Sequence, residues 1–122
     1  MKHTSIAMAK EVFEKGIQID SLFWTSKGCK SIHSALFFEH PELGTDSYPA
    51  PTLDEWLDYL PREIELEDII YRLAVMPQPE DMCTVGYMTI EYGLVSWSRI
   101  SCTAKNPCDA AAEVAMLENA NE

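Results

Sequence analysis

The sequence predicts an α+β fold: a three-stranded antiparallel meander with helices packed on one face, as a single domain spanning residues 1–122. Three observations predict it. Residues 52–60 write out a helix with its own start and stop signals. Three runs of strand character, 69–75, 84–90 and 94–100, follow in close succession. An Asn106-Pro107 pair then opens a last helix. Strands collected in one part of the chain and flanked by helices give segregated layers, not a parallel α/β sheet.

Taken in order, residues 4–15 read as a first helix. Thr4 or Ser5 is placed to cap it, Ile6, Ala9 and Phe13 share a face, and Gly16 provides a left-handed stop. Residues 17–30 begin extended and end in a turn, with Leu22, Phe23 and Trp24 as a dense apolar knot. Residues 31–38 fit neither period: Ile32, Ala35 and Leu36 suit a short helix, whereas adjacent Phe37 and Phe38 do not. Residues 39–51, with Pro41, Gly44, Pro49 and Pro51, read as loop.

The helix 52–60 is the most explicit element. The Thr52 hydroxyl is positioned to accept from the Glu55 amide, and Glu55 to reach back to the Thr52 amide. Leu53, Trp56, Leu57 and Leu60 form one apolar stripe, so Trp56 is expected in the core, and Pro61 ends the run. Residues 63–68 read as an acidic connection. In the first strand Ile69, Tyr71, Leu73 and Val75 alternate onto one face, and Pro77 and Pro79 break it. The Glu91-Tyr92-Gly93 link predicts a tight hairpin between the second and third strands. In the last helix, 107–119, Asn106 is the cap, Pro107 the first position, and Ala111, Val114 and Ala115 the inner face.

A chain of 122 residues with 47% hydrophobic residues can build a core without staples. No apolar run approaches the ~20 residues of a membrane helix, and the N-terminal stretch is too polar for a signal peptide. A cytoplasmic location without membrane contact is therefore expected, and the four cysteines, Cys29, Cys83, Cys102 and Cys108, are expected as reduced thiols.

The net charge of −11 is uneven. Residues 1–30 carry five lysines against Glu11, Glu14 and Asp20, whereas the stretch 39–68 carries ten carboxylates against Arg62 alone. Such a field repels phosphates, which argues against nucleic acid as a partner and towards a basic protein. Helix capping explains Asp54 and Glu55 but not Glu63, Glu65, Glu67 and Asp68, which are the candidate interaction surface.

Signatures of chemistry do not emerge. The histidines His3, His33 and His40 lack ligand spacing, no Cys-x-x-Cys pair or Gly-rich phosphate loop exists, and neither a cofactor nor a metal is expected. Ser96 and Ser98 flank Trp97 on a strand face expected to meet solvent, not in a nucleophile elbow.

The order of signals resembles that of small uncharacterised proteins encoded by prophages and conjugative elements of gut anaerobic bacteria. The residues that carry the resemblance are Gly16-Ile17 after the first helix, Ser21-Leu22-Phe23-Trp24, Pro49-Ala50-Pro51-Thr52-Leu53, Leu60-Pro61-Arg62-Glu63-Ile64, Tyr71-Arg72-Leu73 and Asp109-Ala110-Ala111-Ala112-Glu113. The chain departs at its end, where Met116-Leu117 stands in place of a Trp-Leu pair. The resemblance implies a genomic setting and a fold, without catalytic residues.

Two functional readings follow. The first is a non-catalytic accessory protein that binds another protein through its acidic surface. The second is a small ligand-binding domain or enzyme with a pocket walled by Trp24, His33, Phe37 and Phe38.

Overall fold

The computed structural model describes residues 3–26, 32–34 and 47–120. The fold is α+β, with three helices and two antiparallel sheets. Helix α1 (Ile6–Glu14) comes first, followed by short strands β1 (Phe23–Ser26), β2 (His33–Ser34) and β3 (Ser47–Pro49), which form a small sheet ordered β2-β1-β3. Helix α2 (Leu53–Tyr59) leads into β4 (Glu63–Leu66), β5 (Ile69–Gln78), β6 (Met82–Glu91) and β7 (Leu94–Ala104), a four-stranded sheet in chain order, and α3 (Pro107–Ala120) closes the fold.

The expected three-stranded meander is thus corrected to four strands, because residues 63–68 are not a connection. Ile64 and Leu66 alternate with Glu63 and Glu65, and this period of two pairs Glu63 with Arg72 and Leu66 with Ile69. Glu67 and Asp68 form the turn between them, both with positive φ (52° and 65°). Two further expectations fail. Pro77 lies inside β5, opposite Cys83; β4 reaches only residues 69–72, so this end of β5 is an edge where a missing N–H costs no ladder bond. Residues 47–49, read as loop, pair with β1. The Tyr92-Gly93 hairpin is as expected, with φ of 52° and 76°, the type I′ combination that suits twisted strands.

Alternation sorts the four-stranded sheet into two faces. Val85, Tyr87 and Ile100 point inward with Tyr71 and Leu73 beside them. Helix α3 packs on this face across β6 and β7, and also against α1 and α2. That position explains why Cys108, Ala110, Ala111, Ala112, Val114 and Ala115 are all buried: small side chains let a helix approach neighbours on several sides at once. A Cβ on Gly86 would collide with Cα and Cβ of Ser101, so glycine is what allows β6 and β7 to meet there.

Helix α2 is locked by its own sequence. Thr52 and Glu55 complete the capping box, and Glu55 does more than cap. Its Oε1 accepts from Thr52 N–H (2.9 Å) and Ser21 Oγ–H (2.7 Å), and its Oε2 from Leu22 N–H (3.0 Å). One carboxylate therefore caps the helix and holds the approach to β1 against it. Trp56 is completely buried, and its indole Nε1–H donates to Thr4 Oγ1 (2.8 Å), whose own hydroxyl donates to the Pro51 carbonyl (2.7 Å). Truncating Trp56 to Ala removes this packing and the hydrogen bond that the Thr4 hydroxyl accepts. Chemical denaturation of Trp56→Ala should show a loss of about 3–5 kcal/mol; a loss below about 1 kcal/mol would contradict a core role.

Candidate interaction surface

The structure places the four acidic residues singled out by sequence together at one edge of the larger sheet. Glu63 and Glu65 project from the face of β4 that is turned away from α3, and Glu67 and Asp68 form the adjoining turn; all four are exposed. Two cations answer them, one from β5 and one from β7: Arg72 Nε lies 3.3 Å from Glu63, and an Arg99 guanidinium nitrogen 4.0 Å from Glu67. Both pairs are exposed, so each contributes little to stability. The edge retains more carboxylates than cations.

What sequence reasoning missed is the surface beside these acids. The sheet face opposite α3 carries Ile70, Met88, Ile90, Val95 and Trp97, brought together by the register Arg72–Met88–Trp97 and Ile90–Val95. Ile70 and Ile90 are 59% and 63% exposed, and Val95 44%. Towards the other end of the same face lie Met76 and Met82, both half-buried. The alternation that assigns Ile69, Tyr71 and Leu73 to the core assigns Ile70 outward, so the signal was present in the sequence. Among the described residues, no helix covers this face.

Ser98 departs from its expected place. It is buried, because β7 bulges between the pairs Gly86–Ser101 and Met88–Trp97. The Ser98 Oγ accepts the Ile100 amide (3.2 Å), and Ser101 Oγ donates to the Ser98 carbonyl (3.0 Å). The hydroxyl thus serves the backbone of the bulge. Ser96 is exposed.

Of the alternative pocket, Trp24 is half-buried on β1 and pairs in register with His33 on β2, while Phe37 and Phe38 lie outside the described residues. The nearest groove runs between Leu22, Phe23, Leu53, Glu55, Pro107 and Cys108. Of its two carboxylates, Glu55 is committed to three donors, and Asp54 is exposed in the first turn of α2. Among the described residues no group of His, Cys, Asp and Glu is arranged to hold a metal, and no helix is long and apolar enough to cross a membrane. Cys83 and Cys102 are half-buried free thiols, and Cys108 is buried. Burial, followed by the charges of Glu113 and Asp109, raises the pKa of the Cys102 thiol, which keeps it protonated and poorly nucleophilic.

No family model, curated protein or solved structure matches this chain.

Two measurements follow from these local geometries. Glu67 and Asp68 occupy left-handed positions that favour Asn-Gly. The double substitution Glu67→Asn/Asp68→Gly should raise stability by about 1 kcal/mol in a denaturant titration; destabilisation would contradict the turn geometry. Tyr87 donates its hydroxyl to the Pro61 carbonyl (2.7 Å), and burial, with the charge of Glu118 second, raises its pKa well above the ordinary value of 10. The folded state therefore holds a proton that the unfolded state releases above about pH 10, and stability falls as pH rises from there towards the folded pKa. Tyr87→Phe should flatten this slope in alkaline unfolding curves; an unchanged slope would contradict the assignment.

Proposed function

We propose that this protein is a non-catalytic accessory protein of a mobile genetic element, acting in the cytoplasm by binding another protein through the acidic edge formed by Glu63, Glu65, Glu67 and Asp68. The observation that carries this reading is the position of those four carboxylates. They border an apolar sheet face that no helix covers among the described residues, and they outnumber the two cations, Arg72 and Arg99, that lie within 4.0 Å of them. A surface of acids beside exposed isoleucines fits an interface with an apolar centre and a charged rim. The resemblance to prophage and conjugative-element proteins supports the genomic setting. In the groove beside β1, Glu55, one of the two lining carboxylates, is engaged by three donors as cap and tether, a structural role.

The test is capture of a partner by immobilised protein over a series of salt concentrations. Capture should weaken steeply with salt, mainly through a slower on-rate. The variant Glu63→Gln/Glu65→Gln/Glu67→Gln/Asp68→Asn should lose capture while keeping its fold by circular dichroism. Salt-independent capture, or capture undiminished in that variant, would overturn the acidic-edge reading and shift attention to Trp24 and its surroundings.

A further inference from the structure

We infer that the outward face of the β4–β7 sheet is a seat for a basic amphipathic helix of another protein, which deepens and rests on the reading above. The lining of this face sets what can lie on it. Its centre presents side chains and no free backbone groups, because the strands beneath are paired with one another. An occupant lying across it must satisfy its own backbone hydrogen bonds, and a helix does so by itself. An extended segment would instead need an open strand edge.

The lining is suited to such an occupant. Ile70, Ile90 and Val95 give exposed apolar contact, and Trp97 gives a broad ring beside them. Met76, Met82 and Met88 all lie on this same face. Methionine is unbranched and polarisable, and it adapts to the ridges of a helix better than a branched side chain. Two shallow depressions mark the surface, one bordered by Ile70, Met88 and Ile90 and the other by Met82, Thr84 and Trp97. Four strands at about 4.8 Å spacing span the apolar stripe of a helix of about three to four turns.

Charge decides the sign of the partner. Glu63 and Glu65 stand along one side of the face, Glu67 and Asp68 at one end, and Glu80 and Asp81 at the turn of the opposite end. Arg72 on β5 and Arg99 on β7 are engaged by Glu63 and Glu67, at 3.3 and 4.0 Å, so the rim keeps an excess of carboxylates. A helix with an apolar stripe flanked by Lys and Arg places its cations over this rim. A second copy of the chain would instead bring two molecules of net charge −11 together.

The experiment uses the full ¹⁵N-labelled protein and a synthetic Leu/Lys peptide of about 16 residues, with leucines at i, i+3, i+4 and i+7. Its controls are a scrambled peptide of equal composition and a Leu/Glu peptide of equal pattern. Amide shifts should concentrate at Ile70, Met88, Ile90, Val95 and Trp97. Affinity should fall about tenfold for the scrambled peptide and for the protein variant Ile90→Ser/Val95→Ser, whose substituted positions are exposed. Shifts elsewhere, equal binding of the scrambled or Leu/Glu peptide, or undiminished binding by the Ser variant would overturn the inference. So would a dimer of the free protein, seen by sedimentation, that the Ser substitutions dissolve. If the Ser variant still captures a partner that the acid-neutralised variant loses, the acidic-edge reading stands and the helix seat falls.

Discussion

The burial of Trp56 is the constraint on which the rest of this structure depends. A side chain of that size enters a core only if its indole N–H finds an acceptor, and Thr4 supplies one across 52 positions of sequence. The same threonine binds the Pro51 carbonyl through both its hydroxyl and its amide (2.7 and 2.8 Å). The segment before α1 is thereby tied to the segment before α2. A second tie joins that N-terminal segment to α3: Asn106 Nδ2–H donates to the His3 carbonyl, and Asp109 Oδ1 accepts from Ser5 N–H. The three helices are thus fastened near their N-terminal ends by hydrogen bonds that close long loops.

Two consequences reach the sheet. With α1 and α2 fixed, α3 is held among neighbours and its alanines lie against β6 and β7, so one face of the sheet becomes core. Tyr87 then bridges from that face to the Pro61 carbonyl, just beyond the stop of α2. The supply of helices in the described chain is spent on that side. The opposite face keeps its isoleucines and methionines outward, and the acidic turn and edge strand stand next to it. The surface available for recognition follows from which face the helices take.

Much of this was legible in the sequence, and the failures have physical reasons. The Thr52–Glu55 box, the Asn106-Pro107 start and the Tyr92-Gly93 turn each carry a local signal that the backbone obeys. Strand β4 escaped because two of its four residues are glutamates and its turn, Glu67-Asp68, holds left-handed φ without a glycine to announce it. Ser98 and Pro77 were misread because a bulge and a local sheet edge depend on partners far along the chain. The acids of the candidate surface were legible as an excess of charge with no capping role. The apolar face beside them is less so, because Ile70, Ile90 and Val95 come together only through the register of three strands. Glu55 likewise read as a cap, whereas its hold on Ser21 and Leu22 is a tertiary contact that no spacing rule announces.

Among the described residues the larger sheet has one face built into the core and one that no helix covers, and methionine oxidation distinguishes the two. Four methionines divide between the two settings: Met76, Met82 and Met88 lie on the outward face, and Met116 lies in α3 against the core at 9% exposure. Mild peroxide treatment of the folded protein, followed by peptide mass mapping, reads each site separately. Met76, Met82 and Met88 should oxidise while the fold persists, and Met116 should react only once the protein is unfolded. Oxidation of Met116 at the same rate as Met88 in the folded protein would contradict this division.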